Sequence, residues 1–233
     1  MIYHETEHGV LYCGDCLEVM KQMPDESVDL AMCDFPYLLD AGGGKFNRER
    51  EYMVALRNTL SKGFNDDILY ALREKLNKMN GFFFCNKNQF KQYIDYAFDN
   101  KYYFDLLSWH KTNPSPLLNN NFLPDTEFIF YIRQRGVKLN LTYHTASRYF
   151  ISNVEKNGYD HPAIKPISII ERLICNASVI GNVVIDPTSG SGTTAIACIR
   201  YDRRYILIEK EEKYCEIAAR RIENELDQMR IEL

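Results

Sequence analysis

Seven short apolar runs alternate with segments whose apolar residues recur every three or four positions, and this alternation leaves the chain few folds to choose from. Val10 to Cys13, Val28 to Cys33, Phe82 to Cys85, Tyr103 to Trp109, Glu127 to Ile132, Val183 to Ile185 and Tyr205 to Ile208 read as strands bounded by turn residues. Leu17 to Met23, Asp66 to Met79, Gln89 to Asp99, Pro166 to Ala177, Thr193 to Arg200 and Glu211 to Glu225 read as helices, with Asn80-Gly81 closing the second. A helix between two strands returns the chain to the same end of a sheet. The expected class is therefore α/β, with a mostly parallel, doubly wound sheet, helices on both faces and ligands at the carboxyl ends of the strands. Residues 38 to 63, with Gly42-Gly43-Gly44 and a mixed-charge run, read as a long functional loop. The prolines and asparagines between Lys111 and Asn121 exclude a central strand there.

At 233 residues the chain can bury one full core, so one domain over 1–233 is expected. No run approaches the ~20 apolar residues of a membrane span, and Met1 to His8 lacks a signal-peptide pattern. A soluble, cytoplasmic protein without a membrane partner follows as the expectation. Seven cysteines, mostly inside apolar segments, suit reduced core thiols. Cys13 and Cys16 form a Cys-x-x-Cys, but no second pair completes a zinc site, so no metal is expected.

Two strings stand at predicted strand ends. Val183-Val-Ile-Asp186 runs through Pro187-Thr188-Ser189 into Gly190-Ser191-Gly192-Thr193-Thr194, which opens a helix. Glycines here let the backbone turn tightly and approach a ligand. The spacing also matches a dinucleotide fingerprint, with Glu209 about 20 residues on as the ribose-binding acid, so NAD stays open on this loop alone. The absence of a lysine after Gly192 argues against a triphosphate loop. The other string, Asp34-Phe35-Pro36-Tyr37, is by itself equally an ordinary turn after a strand.

Together the strings resemble the DNA amino-methyltransferases. Asp186-Pro187 ahead of the glycines is similar to that family's Asp-Pro-Phe-x-Gly-Ser-Gly loop for S-adenosyl-L-methionine, with Thr188 in place of the phenylalanine. Asp34 to Tyr37 resembles Asp-Pro-Pro-Tyr, with Phe35 in place of the first proline. The resemblance implies a seven-stranded Rossmann-like sheet. It also implies a catalytic set in which Asp34 and the Phe35 carbonyl accept the hydrogens of a base amine, Pro36 keeps Phe35 extended, and Tyr37 stacks on the base. His161-Pro-Ala-Ile-Lys165-Pro166 looks like the family's His-Pro-x-x-Lys-Pro segment, implying His161 and Lys165 at the methionine end of the cofactor. Gly14-Asp15-Cys16 is similar to the adenine-binding turn, with Asp15 taking the cofactor's amine and the Cys16 amide reaching its ring. The implied cofactor set is completed by Asp186, Thr188 to Thr194 and Glu209. A helix cap or surface turn is the ordinary alternative for each of these carboxylates.

The amine pocket precedes the cofactor loop, an order that resembles the permuted β group of the family, with residues 136–160 as a short recognition insert. Trp109-His-Lys111-Thr-Asn113 and then Glu127 resemble the segment near the target base, Trp109 being equally a core residue. The implied function is methylation of adenine N6 in double-stranded DNA, the base being flipped out of the stack. N4-cytosine methylation, a NAD-dependent oxidoreductase and a catalytically silent DNA-binding protein are the alternatives. A homodimer and a separate cognate restriction enzyme are compatible partners. The net charge of −4 argues against a surface that binds nucleic acid everywhere. Between Tyr131 and Ser152, however, Arg133, Arg135, Lys138 and Arg148 occur among aromatics with no acidic residue, and with Lys111 and Asn113 they form the expected DNA-contacting set, a solvated loop being the alternative.

Overall fold

The computed structural model describes residues 1–38, 63–114, 122–154 and 164–232. Nine described strands make one sheet: β1 (Ile2–Thr6), β2 (Gly9–Cys13), β3 (Leu30–Cys33), β4 (Asn80–Cys85), β5 (Tyr103–Lys111), β6 (Thr126–Arg133), β7 (Tyr149–Ser152), β8 (Val183–Asp186) and β9 (Arg204–Glu209). Their order is β1-β2-β9-β8-β3-β4-β6-β5-β7. Neighbours from β2 to β4 run parallel, β6 lies antiparallel between β4 and β5, β7 joins β5 in parallel, and β1 closes an antiparallel hairpin on β2. The mostly parallel, doubly wound sheet is as expected, but it is mixed, and its seven strands become nine. The two additional strands are the edges. β1 carries polar residues along His4-Glu5-Thr6, and β7 exposes Tyr149 and Ile151, so neither shows a buried strand's apolar run.

The helices are α1 (Cys16–Met20), α2 (Asp67–Lys75), α3 (Phe90–Asp99), α4 (Ile167–Ala177), α5 (Thr193–Arg200) and α6 (Glu212–Glu232). α2 stops four residues short of Met79. Leu76 turns extended and bridges Val28, and Asn80-Gly81 begins β4 instead of ending the helix. The long segment expected over residues 38 to 63 lies outside the described residues except for its two ends.

All six residues of β4 are buried, as a central strand covered on both faces requires. Phe82 and Phe84 join the core beneath α4, α5 and α6 with Trp109, Ile129 and Tyr131. Phe83 and Cys85 join the opposite core with Phe35, Tyr93 and Phe130 beneath α1, α2 and α3. Each fully buried phenylalanine contributes about 1.5–3 kcal/mol, so this strand anchors both layers. At the other side of the sheet, a Cβ on Gly9 would sit 2.0 Å from the Tyr205 carbonyl oxygen, so only glycine lets β2 lie against β9. No helix among the described residues is long and apolar enough to cross a membrane.

The strand order reverses between β8 and β3. The chain leaves β3 toward β4 and leaves β8 toward β9, opening a crevice at their carboxyl ends where α/β sheets bind ligands. Asp34 follows the end of β3, and Asp186 ends β8.

Candidate active site

On the β3 side of the crevice, Phe35 is 1% exposed and packs its ring against Phe64, with centroids 4.5 Å apart, and against Phe83. The residue standing in place of a proline is thus a core anchor that fixes the turn by burial. A short 3-10 turn (Lys87–Gln89), closed by the Asn86-x-x-Gln89 capping box, holds the rest of the segment. Gln89 Nε2 donates to the Pro36 carbonyl at 3.1 Å, and Asn86 and Asn88 donate to the Leu38 carbonyl at 2.8 and 3.0 Å. Sequence reasoning missed these three residues, although Asn-x-x-Gln after a strand is a recognisable cap signal.

Asp34 retains 30% of its side-chain exposure, and its Oδ2 lies 2.8 Å from Lys165 Nζ. Lys165 stands just before α4, with an 8% exposed side chain, and its ammonium also approaches Glu127 Oε2 at 3.2 Å. Glu127, near the start of β6, takes Lys111 Nζ on Oε1 at 2.6 Å and accepts from the Tyr37 hydroxyl on Oε2 at 3.0 Å. Two carboxylates and two ammonium groups thus alternate around one tyrosine. Burial would raise the Glu127 carboxyl, but Lys165 and Lys111 outweigh it and pull it down to about 2. Burial raises Asp34 above the ordinary carboxylate range, against the pull of Lys165. For Lys165 burial works against the charge, but Asp34 and Glu127 prevail and hold its pKa above that of an ordinary lysine. Burial, with Asp34 and Glu127 adding to it, pushes the Tyr37 phenol up, so it remains a donor.

On the β8 side, the glycine loop uses its own amides internally. Thr188 N donates to Asp186 Oδ1, Ser189 N to the Ile208 carbonyl, Gly190 N to Glu209 Oε2 at 2.8 Å and Gly192 N to the Ser189 carbonyl. Thr194 Oγ1 donates to Asp186 Oδ2 at 2.5 Å, and Arg221 of α6 donates to Ser191 O, Ser191 Oγ and Thr193 Oγ1. Gly192 has φ +78°, and a Cβ there would stand 2.9 Å from Ala218 Cβ on α6. A pyrophosphate needs free amides at such a loop. Here four of them are spent on the protein, and carboxylates collect instead. Burial pushes Asp186 up to about 7, and the charges of Asp34 and Glu209 add to the effect. A cationic ligand relieves that repulsion. Among the described residues, Thr188 Oγ1 and Ser189 Oγ are buried without a partner, two polar atoms free for such a ligand.

Asp15 caps α1, its Oδ1 accepting from Leu17 N at 3.0 Å, while Oδ2 lies 3.8 Å from Lys210 Nζ. The Gly14 amide donates to the Glu209 carbonyl at 2.9 Å, joining the Asp15-Cys16 turn to the end of β9. Asp15, Cys16, Asp186, Thr188, Ser189, Gly190 and Glu209 therefore line one side, and Asp34 to Tyr37 the other. The side chains of Ser191, Thr193 and Thr194 are engaged by Arg221 and Asp186. Lys165, expected at the cofactor end, sits on the reacting side instead, because Asp34 and Glu127 draw its ammonium there. His161 lies outside the described residues.

The expected DNA contacts are not gathered at the crevice. Lys111 is paired with Glu127 and lies over the buried Trp109 ring, so it is no free phosphate contact. Asn113 clasps Val154, donating to its carbonyl and accepting from its amide. Arg133 pairs in register with Asn80, at the amino end of β4, whereas Glu127 marks the pocket end of the same strand β6. Six residues at ~3.3 Å put Arg133 and the following Arg135 and Lys138 roughly 20 Å from the pocket edge. Arg148 flanks the outer strand β7 and pairs with Asp105 at 3.6 Å. Sequence proximity misled here because an antiparallel strand carries its two ends to opposite edges of the sheet.

The sequence pattern of the DNA methylase family, the N6/N4 methyltransferases, matches residues 28–220. The type II methyltransferase M2.MboI of Moraxella bovis is 28% identical over 236 residues, covering 91% of this chain and 86% of that protein. M2.DpnII of Streptococcus pneumoniae is 28% identical over 252 residues, covering 96% and 92%. Among solved structures, the cytosine-N4-specific PvuII DNA methyltransferase superposes with a TM-score of 0.74 at 18% identity, covering 95% of this chain and 91% of that one. The M1.HpyAVI-SAM complex gives a TM-score of 0.68 at 22% identity, covering 91% and 98%.

Proposed function

Because this chain belongs to the DNA methylase family that spans N6-adenine and N4-cytosine enzymes, we propose that it methylates N6 of an adenine flipped out of double-stranded DNA. The observation that carries the choice of base is Asp34, held 2.8 Å from Lys165 at the mouth of the crevice, where the resemblance associates serine more often with cytosine enzymes. S-adenosyl-L-methionine, when bound, supplies a methyl group on a sulfonium. Asp186 and Glu209 favour its positive charge, Thr188 and Ser189 offer their unpaired hydroxyls, and the Asp15-Cys16 turn takes the adenine end.

An exocyclic amine is a poor nucleophile because its lone pair is drawn into the ring. Asp34 and the Phe35 carbonyl accept its two hydrogens and return electron density to nitrogen. Tyr37 supports the base by stacking, worth about 1–3 kcal/mol. Once nitrogen has gained the methyl carbon it must lose a proton. Asp34, whose pKa burial raises, is the base at hand to accept it.

The short segment over residues 136–160 supports a short target site, since each base pair read directly needs its own contacts. A separately encoded restriction enzyme of the same specificity, and a homodimer on DNA, belong to the same reading. The test is transfer of labelled methyl groups to mixed-sequence DNA followed by digestion to nucleosides. Label in N6-methyl-2′-deoxyadenosine is expected. Label confined to cytosine overturns the choice of base, and a thermal shift with NAD but none with S-adenosyl-L-methionine overturns the enzyme class.

A further inference from the structure

Glu127 is engaged from three directions. It lies on β6 and so comes from neither the glycine loop nor the amine segment, yet its two oxygens meet the Tyr37 hydroxyl, the Lys165 ammonium and the Lys111 ammonium. We propose that Glu127 is a positioning residue of the base pocket, one buried carboxylate that fixes the stacking ring of Tyr37 and, through Lys165, the amine acceptor Asp34. The proposal rests on the reading of Asp34 to Tyr37 as an amine pocket and holds for either base.

The geometry divides the labour. Oε2 is shared by Tyr37 at 3.0 Å and Lys165 at 3.2 Å, so displacing it disturbs ring and acceptor together. Oε1 at 2.6 Å from Lys111 ties the carboxylate to the end of β5. Lys165 is further confined by the faces of Tyr37 and Phe84, 5.3 and 5.2 Å from its nitrogen. A relay role for Glu127 is a poor fit. Burial opposes its charge, but the two lysines bring it down to about 2, so it stays ionised through the neutral range. It remains a fixed charge, and the proton from the amine stays with Asp34.

Besides Glu127, the groups that face Asp34 are Lys165 before α4, Tyr37 on its own segment, Cys33 of β3, Cys85 of β4, Tyr93 of α3 and Asp186 of β8. Of these, Lys165 and the Tyr37 hydroxyl favour its ionised form and Glu127 disfavours it. That opposition gives a test beyond loss of activity. Glu127→Gln, Lys165→Met and Tyr37→Phe are made in the full chain, and transfer to mixed-sequence DNA is followed from pH 5 to 9. Glu127→Gln is expected to lower kcat about 100-fold through misplacement of the reacting groups, while cofactor affinity stays within about threefold. The acid limb of its pH profile moves down, that of Lys165→Met moves up, and Tyr37→Phe loses about tenfold in kcat with its limb also moved up, since it removes a hydrogen bond that favours ionised Asp34. Should Glu127→Gln not fold, Glu127→Asp takes its place, expected to lower kcat because the charge remains but its reach to Tyr37 and Lys165 is shortened. Unchanged kcat in Glu127→Gln, or its limb moving in the same direction as that of Lys165→Met, overturns the assignment while leaving the methylase reading intact. No transfer to any base by the wild type overturns both.

Discussion

Gly192→Ala separates two uses of a glycine. If Gly192 serves backbone approach to a cofactor, the substitution weakens cofactor binding and spares the fold. The structure expects the reverse order of effects. With φ +78°, an alanine pays the left-handed penalty of about 1–2 kcal/mol, and its Cβ at 2.9 Å from Ala218 Cβ overpacks the α5–α6 contact by a further ~1–3 kcal/mol. The sum, roughly 2–5 kcal/mol, lowers Tm by about 4–20 °C for a chain of this size. Ala218→Gly makes room at the cost of helix propensity, about 1 kcal/mol, so Gly192→Ala in that background should lose only its dihedral penalty. Urea unfolding of the four proteins gives the coupling, expected at about 1–3 kcal/mol. Additive effects, or a Gly192→Ala protein as stable as wild type with weakened cofactor binding, would refute the packing argument.

Four further outcomes are expected. Asp34→Ala abolishes methyl transfer but keeps cofactor binding; equal loss of both in calorimetry contradicts its place on the reacting side. Because burial raises Asp186 to about 7, binding of a cationic cofactor has to drive off its proton, so affinity rises from pH 6 to 8, and the rise vanishes in Asp186→Asn; a flat profile in the wild type argues against the carboxylate's role. Arg221→Ala strips donors from Ser191 and Thr193 and destabilises by about 1–3 kcal/mol, measured by denaturant unfolding, with no loss counting against the clamp. Replacing Arg133, Arg135 and Lys138 together leaves the salt dependence of DNA binding unchanged, and a shallower slope would place DNA on the far edge of the sheet.

The interior strands were legible because burial on both faces writes a continuous apolar run, as in Phe82-Phe83-Phe84-Cys85. The edges were not, since β7 leaves Tyr149 and Ile151 in solvent and shows a sequence that suits a binding loop equally well. Turn chemistry put both strings at strand ends, while their roles came from the resemblance to the DNA amino-methyltransferases. The link between them could not, because Glu127 reaches Tyr37 across 90 positions of sequence and Lys165 reaches Asp34 across a longer stretch still. Charge counting could not show that Arg133 lies at the end of β6 away from Glu127, since it registers neighbours along the chain and ignores strand direction. Phe35 shows the opposite case, a departure from a motif that the core explains at once.

The strand order also sets when the molecule can become itself. β2 is made long before its partner β9, Cys13 lying opposite Glu209. β3 likewise needs β8 on one side. Closing a loop of about 200 residues costs roughly 5 kcal/mol by the logarithmic law, and it must be met before those pairings repay it. Until β8 and β9 emerge, β3 can pair only with β4 and β2 only with β1, so their parallel edges stay open and the crevice closes after β9 is made. A folding landscape so arranged makes the pairing of β9 a late step in assembling the cofactor half.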